Sequence, residues 1–171
     1  MNAEIQHDQE KFLVYLSLGS NIDPKYNLPK AIQKIKSVLE VVSVSSIWQT
    51  PAVGFEGEDF LNAVVLIKTF LMPSVLKKEI LRPIEALLGR TRTNEKYSPR
   101  TIDIDIILFQ DILLDKELWS QAHLAVPLAE LNPDFSRDQT GGPLIEVARI
   151  LRNTSQIQKR EDIIFDISAT L

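Results

Sequence analysis

Residues 102–109 read Ile-Asp-Ile-Asp-Ile-Ile-Leu-Phe. Apolar and charged residues alternate strictly from Ile102 to Ile106, the period of a β-strand with one face toward a core. The apolar ending Ile107-Leu108-Phe109 marks the strand as a central one. Ile102, Ile104 and Ile106 take the core side. Asp103 and Asp105 project together from the other side, with Cα atoms about 6.6 Å apart.

Upstream, the apolar run Phe12–Leu18 ends in Gly19-Ser20-Asn21 and reads as a buried strand entering a turn. Leu28, Ile32, Ile35 and Leu39 form one face of an amphipathic helix, with Lys30, Lys34 and Lys36 outward. The β-branched stretch Val41–Gln49 predicts a strand, Thr50–Asp59 a loop, and Phe60–Phe70 a second long strand. Pro73 suits the first turn of a helix whose stripe is Val75, Leu76, Ile80, Ile84, Leu87 and Leu88, ending near Gly89. Pro83 falls inside that helix and should kink or break it.

With the Asp strand last, the order is strand, helix, strand, strand, helix, strand. This is the order of an α+β, ferredoxin-like βαββαβ sandwich with both helices on one sheet face. C-terminal additions follow: a helical piece near Leu128, another at Pro143–Leu151, and a tail to Leu171. The tail reads either as a terminal strand or as a partner-binding segment. Residues 1–11 read as a polar leader and residues 12–171 as a single domain.

Composition narrows the classes. The chain has 171 residues, about one domain's worth. Hydrophobic residues are 44% and charged residues 25%, enough apolar material for a core and against global disorder. There are no cysteines, which excludes disulfides, thiolate metal sites and a cysteine nucleophile. Lys plus Arg is 19 against 23 Asp plus Glu, a net charge of −4, which argues against a nucleic-acid partner. No apolar run reaches the roughly 20 residues of a membrane span. The N-terminus lacks the basic and apolar regions of a signal peptide, so a cytoplasmic location is expected.

The chemistry concentrates in Gly89–Phe109. Two like charges on one strand face repel unless a cation lies between or beside them, and a hard cation such as Mg²⁺ suits such oxygen ligands. The plain alternative is a polar strand face in water. Arg90, Arg92 and Arg100 precede the acids, with Lys96 among them. Arginines beside a carboxylate pair are what a nucleoside-triphosphate site needs, because the metal bridges phosphate oxygens and guanidinium groups neutralise developing charge. Surface pairing of those bases with those acids is the bland reading.

A second signal is Thr50-Pro51-Ala52-Val53-Gly54 followed by Phe60-Leu61-Asn62. A loop presenting backbone groups, then an aromatic and an amide on one strand face, could hold a flat heterocycle. A core Phe and a strand-end Asn are the alternative. Gly19-Ser20-Asn21 is not a P-loop and reads as a turn. The chain's two histidines, His7 and His123, cannot build a histidine metal cluster.

Together the segments YLSLGSN, SSIWQTPAVGFEGEDFLNAVV, IEALLGRTR and YSPRTIDIDIILF, with a weaker VPLAELNPD, resemble the 6-hydroxymethyl-7,8-dihydropterin pyrophosphokinase family of folate biosynthesis. The resemblance spans most of residues 13–135 and implies the same ferredoxin-like core. It implies transfer of pyrophosphate from ATP to the pterin hydroxymethyl, with release of AMP. By resemblance, Asp103 and Asp105 hold two Mg²⁺ ions. Arg90 and Arg92 lie on the loop that closes over ATP, and Arg100 contacts its phosphates. Glu85, Tyr97 and Ile106 lie near the nucleotide. Thr50, Pro51, Val53, Phe60 and Asn62 match the pterin pocket, and His123 falls where a second stacking aromatic is usual. Contact with other folate-pathway enzymes would fit this reading.

The chain departs from the family pattern in three places. About eight residues are missing between the Asp strand and Val126-Pro127-Leu128, removing a His and an Arg that contact the triphosphate. The loop after Gly54 is one residue short, and Pro83 interrupts a normally continuous helix. The competing readings are therefore a catalytically weak or inactive pterin- or nucleotide-binding module of the same fold and, lower, an RNA-binding ferredoxin-like domain, which lacks its aromatic signature here.

Overall fold

The computed structural model describes residues 10–52, 57–91, 98–137 and 141–163. Most of the expected leader, Val53, Arg92, Lys96, Tyr97 and the tail beyond Ile163 lie outside the described residues. In chain order the elements are β1 (Phe12–Ser20), α1 (Pro24–Val38), β2 (Glu40–Val44), β3 (Trp48–Thr50) and β4 (Phe60–Thr69). They continue with α2 (Pro73–Leu76), a π-turn (Lys77–Leu81), α3 (Arg82–Leu87), β5 (Asp103–Phe109) and β6 (Ile112–Leu113). A 3-10 turn (Lys116–Trp119), α4 (Ala122–Leu131), α5 (Leu144–Thr154) and β7 (Gln158–Lys159) complete the order.

The strands form one sheet in the order β6-β5-β1-β4-β3-β7, with β2 also paired to β4. Every pairing is antiparallel. Strands β1 and β4 lie inside it and are apolar along most of their length, with Leu16, Leu18, Ala63, Val65 and Ile67 fully or almost fully buried. Helices α1 and α2–α3 bring Leu28, Ile32, Ile35, Leu76, Leu81 and Ile84 onto the face carrying Leu16, Leu18, Ile104 and Ile106. The C-terminal additions cover the opposite face, where Leu124, Leu128, Leu144 and Ala148 pack on Tyr15, Trp48, Val64 and Leu66. The result is a sheet with a helical layer on each side.

Two sequence expectations need correction. The stretch 41–49 is two strands rather than one, both paired to β4. Between them, Ser45 keeps its backbone N–H on the Val64 carbonyl (2.9 Å). Its hydroxyl accepts from the Val64 N–H (2.8 Å), taking the place of a strand carbonyl. The Ser46 N–H then leaves the ladder for the Glu130 carboxylate at 2.7 Å.

Pro83 does not break the second helix. The chain runs through a π-turn in which the Arg82 N–H reaches back to the Lys77 carbonyl. A proline in an α-helix loses one backbone bond and presses its ring on the carbonyl four residues earlier. The wider turn ahead of Pro83 relieves that crowding and carries the helix on to Gly89, whose φ of 78° ends it.

Candidate active site

The register of the sheet sets out the site. Gly19 of β1 lies opposite Asp103 of β5 on one side and Asn62 of β4 on the other. Ser17 likewise faces Asp105 and Val64. Directly opposed residues in antiparallel strands share a face, so the acidic pair and the Asn62 amide stand on one surface with a glycine between them. A Cβ added at Gly19 would meet Asn62 Oδ1 at 3.3 Å and the Phe60 ring at 3.8 Å. The missing side chain therefore leaves a shallow cradle bounded by Asp103, Asn62 and Phe60.

Asn62 is fixed within that cradle. Its amide nitrogen donates to Thr50 Oγ1 (3.0 Å) and to the Trp48 carbonyl (3.3 Å), leaving Oδ1 toward Gly19. The side chain is buried, so this orientation is held by two bonds in a low-dielectric setting. Thr50, Phe60 and Asn62 are thus brought together as expected. Pro51 points elsewhere, into a second cleft with Gln49, Asp59 and Gln158.

On the acidic side, Asp103 pairs with Arg100 and, at 3.3 Å, with Arg90. Asp105 pairs with Lys77. Glu85 is 2% exposed and accepts the Ile104 N–H at 2.8 Å, on the side of β5 away from β1. A carboxylate there satisfies a backbone donor that has no strand partner and fixes the segment between the two aspartates. Asp105 and Ile106 also line a cleft of about 570 Å³, together with Lys77, Ser74, Asp115 and Glu117.

The turn Gly19-Ser20-Asn21 does more than end β1. The Ser20 hydroxyl donates to the Thr101 carbonyl at 2.5 Å. Asn21 Oδ1 accepts from the Arg100 N–H at 2.7 Å, while the N–H groups of Asn21 and Ile22 both donate to the Arg100 carbonyl. Asn21 also donates to the Glu58 carbonyl at 3.3 Å, tying the segment before Phe60 to the segment before Asp103. Sequence reasoning passed over this clamp; its only signal was a Ser-Asn pair directly after a buried strand.

Among the described residues no group of three or more His, Cys, Asp or Glu gathers that could hold a metal. The donor set is two carboxylates beside an open cleft. That fits Mg²⁺, which is commonly held by one or two carboxylates and completes its shell with phosphate oxygens and water.

His123 lies in the first turn of α4 and is partly buried. Burial pushes its imidazole below the ordinary value, Asp115 and Glu117 oppose this, and Arg100 adds to it. The folded form then binds its proton more weakly than the unfolded chain, whose value is about 6.5. His123 therefore contributes stability fully above about pH 6.5, and that contribution is lost as the pH falls through the folded value. Urea midpoints measured from about pH 7 to pH 5 are expected to fall more steeply for the wild type than for His123→Gln. Equal slopes would refute this.

The comparisons with known proteins come to the same place. An α/β protein with an antiparallel sheet and a carboxylate pair ringed by Arg and Lys is what the fold and site define. Residues 15–133 match the family model described as 7,8-dihydro-6-hydroxymethylpterin-pyrophosphokinase (HPPK). A 2-amino-4-hydroxy-6-hydroxymethyldihydropteridine pyrophosphokinase of Aquifex aeolicus is 36% identical over 78% of this chain and 88% of its own. That of Methylorubrum extorquens is 35% identical over 86% of this chain and 98% of its own. The wild-type HPPK-DHPS crystal structure from Plasmodium falciparum superposes with a TM-score of 0.65 at 13% identity. It aligns over 85% of this chain, which spans 42% of the length of that solved chain. The chain belongs to the HPPK family.

Proposed function

We propose that this protein transfers pyrophosphate from ATP to 6-hydroxymethyl-7,8-dihydropterin, with release of AMP, in folate biosynthesis. The carrying observation is the sheet row Asp103–Gly19–Asn62, which sets a metal-type carboxylate and a heterocycle-type amide on either side of one cradle. A flat pterin in that cradle has Phe60 to stack on and the Asn62 amide to read its ring edge. Asp103 and Asp105 would hold two Mg²⁺ ions, which when bound neutralise and orient the triphosphate. Arg90 and Arg100 lie on Asp103, within reach of phosphate oxygens, and supply charge to the group being transferred. Arg92, Tyr97 and Val53 are assigned to the same site on the family pattern. Ile106 borders the nucleotide side, Glu85 positions the strand, and His123 flanks the pterin side, whereas Pro51 opens on the neighbouring cleft. The work is mainly positioning and electrostatics.

The order β5-β1-β4-β3, with a helix after β1 and another after β4, supports a ferredoxin-like core and a single domain over 12–171 with a polar leader before it. A cytoplasmic enzyme without a nucleic-acid or membrane partner accords with its charge. No helix among the described residues is long and apolar enough to cross a membrane. Contact with other folate-pathway enzymes accords with the structural relative being an HPPK-DHPS protein. The relatives reported above are named as pyrophosphokinases, which favours the enzyme over an inactive binding module.

The test is AMP release from ATP, Mg²⁺ and the pterin. Pterin-dependent AMP that is lost in Asp105→Ala supports the proposal. Folded wild-type protein that releases no AMP above this control overturns it.

A further inference from the structure

Lys77 belongs to none of the motifs that carry the family resemblance, yet its ammonium sits on Asp105. The two aspartates are balanced differently. Asp103 has Arg90 and Arg100, whereas among the described residues the ion pair of Asp105 is with Lys77. Lys77 begins the π-turn, and its carbonyl receives the Arg82 N–H, so the irregular turn that accommodates Pro83 also places this lysine. Turns of this kind occur mostly as single insertions inside α-helices, frequently at functional sites. The ammonium lies in the same cleft as Asp105, Ser74, Asp115 and Glu117, and its side chain is 35% exposed, so it has room to move.

We infer that Lys77 is an exchangeable counter-charge that holds Asp105 when no metal is bound and turns to the nucleotide phosphates when a divalent cation takes its place. This rests on the proposed function above. The physical argument is charge balance. A dication at Asp105 and an ammonium on the same carboxylate repel, so the weaker-held partner leaves. A lysine is a point charge on a flexible four-carbon stem, suited to such a move. On leaving Asp105 it stays in a cleft walled by the further acids Asp115 and Glu117, beside the place where phosphates would bring new negative charge.

The experiment uses Lys77→Gln and two binding measurements. Mn²⁺ binding without nucleotide is followed by electron paramagnetic resonance. Binding of α,β-methylene-ATP with Mg²⁺ is followed by calorimetry. Mn²⁺ affinity is expected to rise about fivefold or more, because a competing unit charge at contact is removed. Analogue affinity is expected to fall by about the same factor. A merely structural lysine would not move the two in opposite directions, and Lys77→Arg should return the analogue affinity toward wild type. Unchanged or weaker Mn²⁺ binding, or unchanged analogue binding, in Lys77→Gln overturns the inference. Asp105→Asn separates it from the underlying reading. If Asp105→Asn loses Mn²⁺ while Lys77→Gln does not alter it, the Lys77 inference alone falls. If Asp105→Asn binds Mn²⁺ as the wild type does, the metal reading itself falls.

Discussion

Asp103→Asn is expected to lower pterin-dependent AMP release at least about a thousandfold while the protein stays folded. Asparagine keeps the shape of the side chain and removes its charge. The loss is twofold in origin. A metal-type ligand next to the cradle disappears, and Arg90 and Arg100 lose the carboxylate that aligns them. Their side chains are 11% and 21% exposed, so two poorly solvated guanidinium groups lose a counter-charge. Stability should fall as well, by about 1–3 kcal/mol, since partly buried charges lose the carboxylate between them and the solvent does not fully replace it. Single-turnover AMP formation and urea unfolding separate the two effects. A variant with activity within tenfold of wild type would remove Asp103 from the reaction.

Gly19→Val is expected to weaken pterin binding by about a hundredfold or more and to leave nucleotide binding within a few-fold of wild type. The argument is spatial rather than conformational. Gly19 lies within β1, and the positive-φ glycine among the described residues is Gly89, so a side chain at Gly19 meets no backbone penalty. Its first carbon would already be at 3.3 Å from Asn62 Oδ1. Two further methyl groups would fill the cradle between Asn62, Phe60 and Asp103. A flat ring cannot then lie on the sheet, whereas Lys77, Asp105 and the 570 Å³ cleft remain as they were. Fluorescence titration of the pterin and calorimetry of the nucleotide analogue give the comparison. Undiminished pterin affinity would place the ring somewhere other than this row.

Much of this arrangement was legible in the chain because it follows from short-range period. The alternation at 102–106 put both acids on one face, and the stripe Leu28, Ile32, Ile35 marked the buried side of α1. What escaped notice depends on partners far away in sequence. Asn21 and Arg100 are 79 positions apart, and nothing local to either announces the bond. Ser45 and Ser46 sit in a β-branched stretch, so the break between β2 and β3 hides until Glu130 is seen to draw the Ser46 N–H aside. Lys77 was invisible for another reason. A 3.6-residue period presumes a uniform helix, and one wide turn changes the direction of every side chain before Pro83 relative to those after it.

The last strand carries a practical lesson. The family match stops at residue 133, yet β3, which bears Thr50, is braced from beyond that limit. Arg152 lies over the Trp48 ring at 5.0 Å, β7 pairs with β3, and Arg160 bonds both the Ile47 carbonyl and the Gln49 side chain. Trimming the protein to its family boundary would strip these supports and bare a strand edge beside the proposed ring-binding end of the sheet. Such an edge invites pairing with another chain. A minimal version made for crystallisation or screening would then risk self-association along the edge of β3 that β7 covers here, and its weak pterin binding would be mistaken for a property of the site.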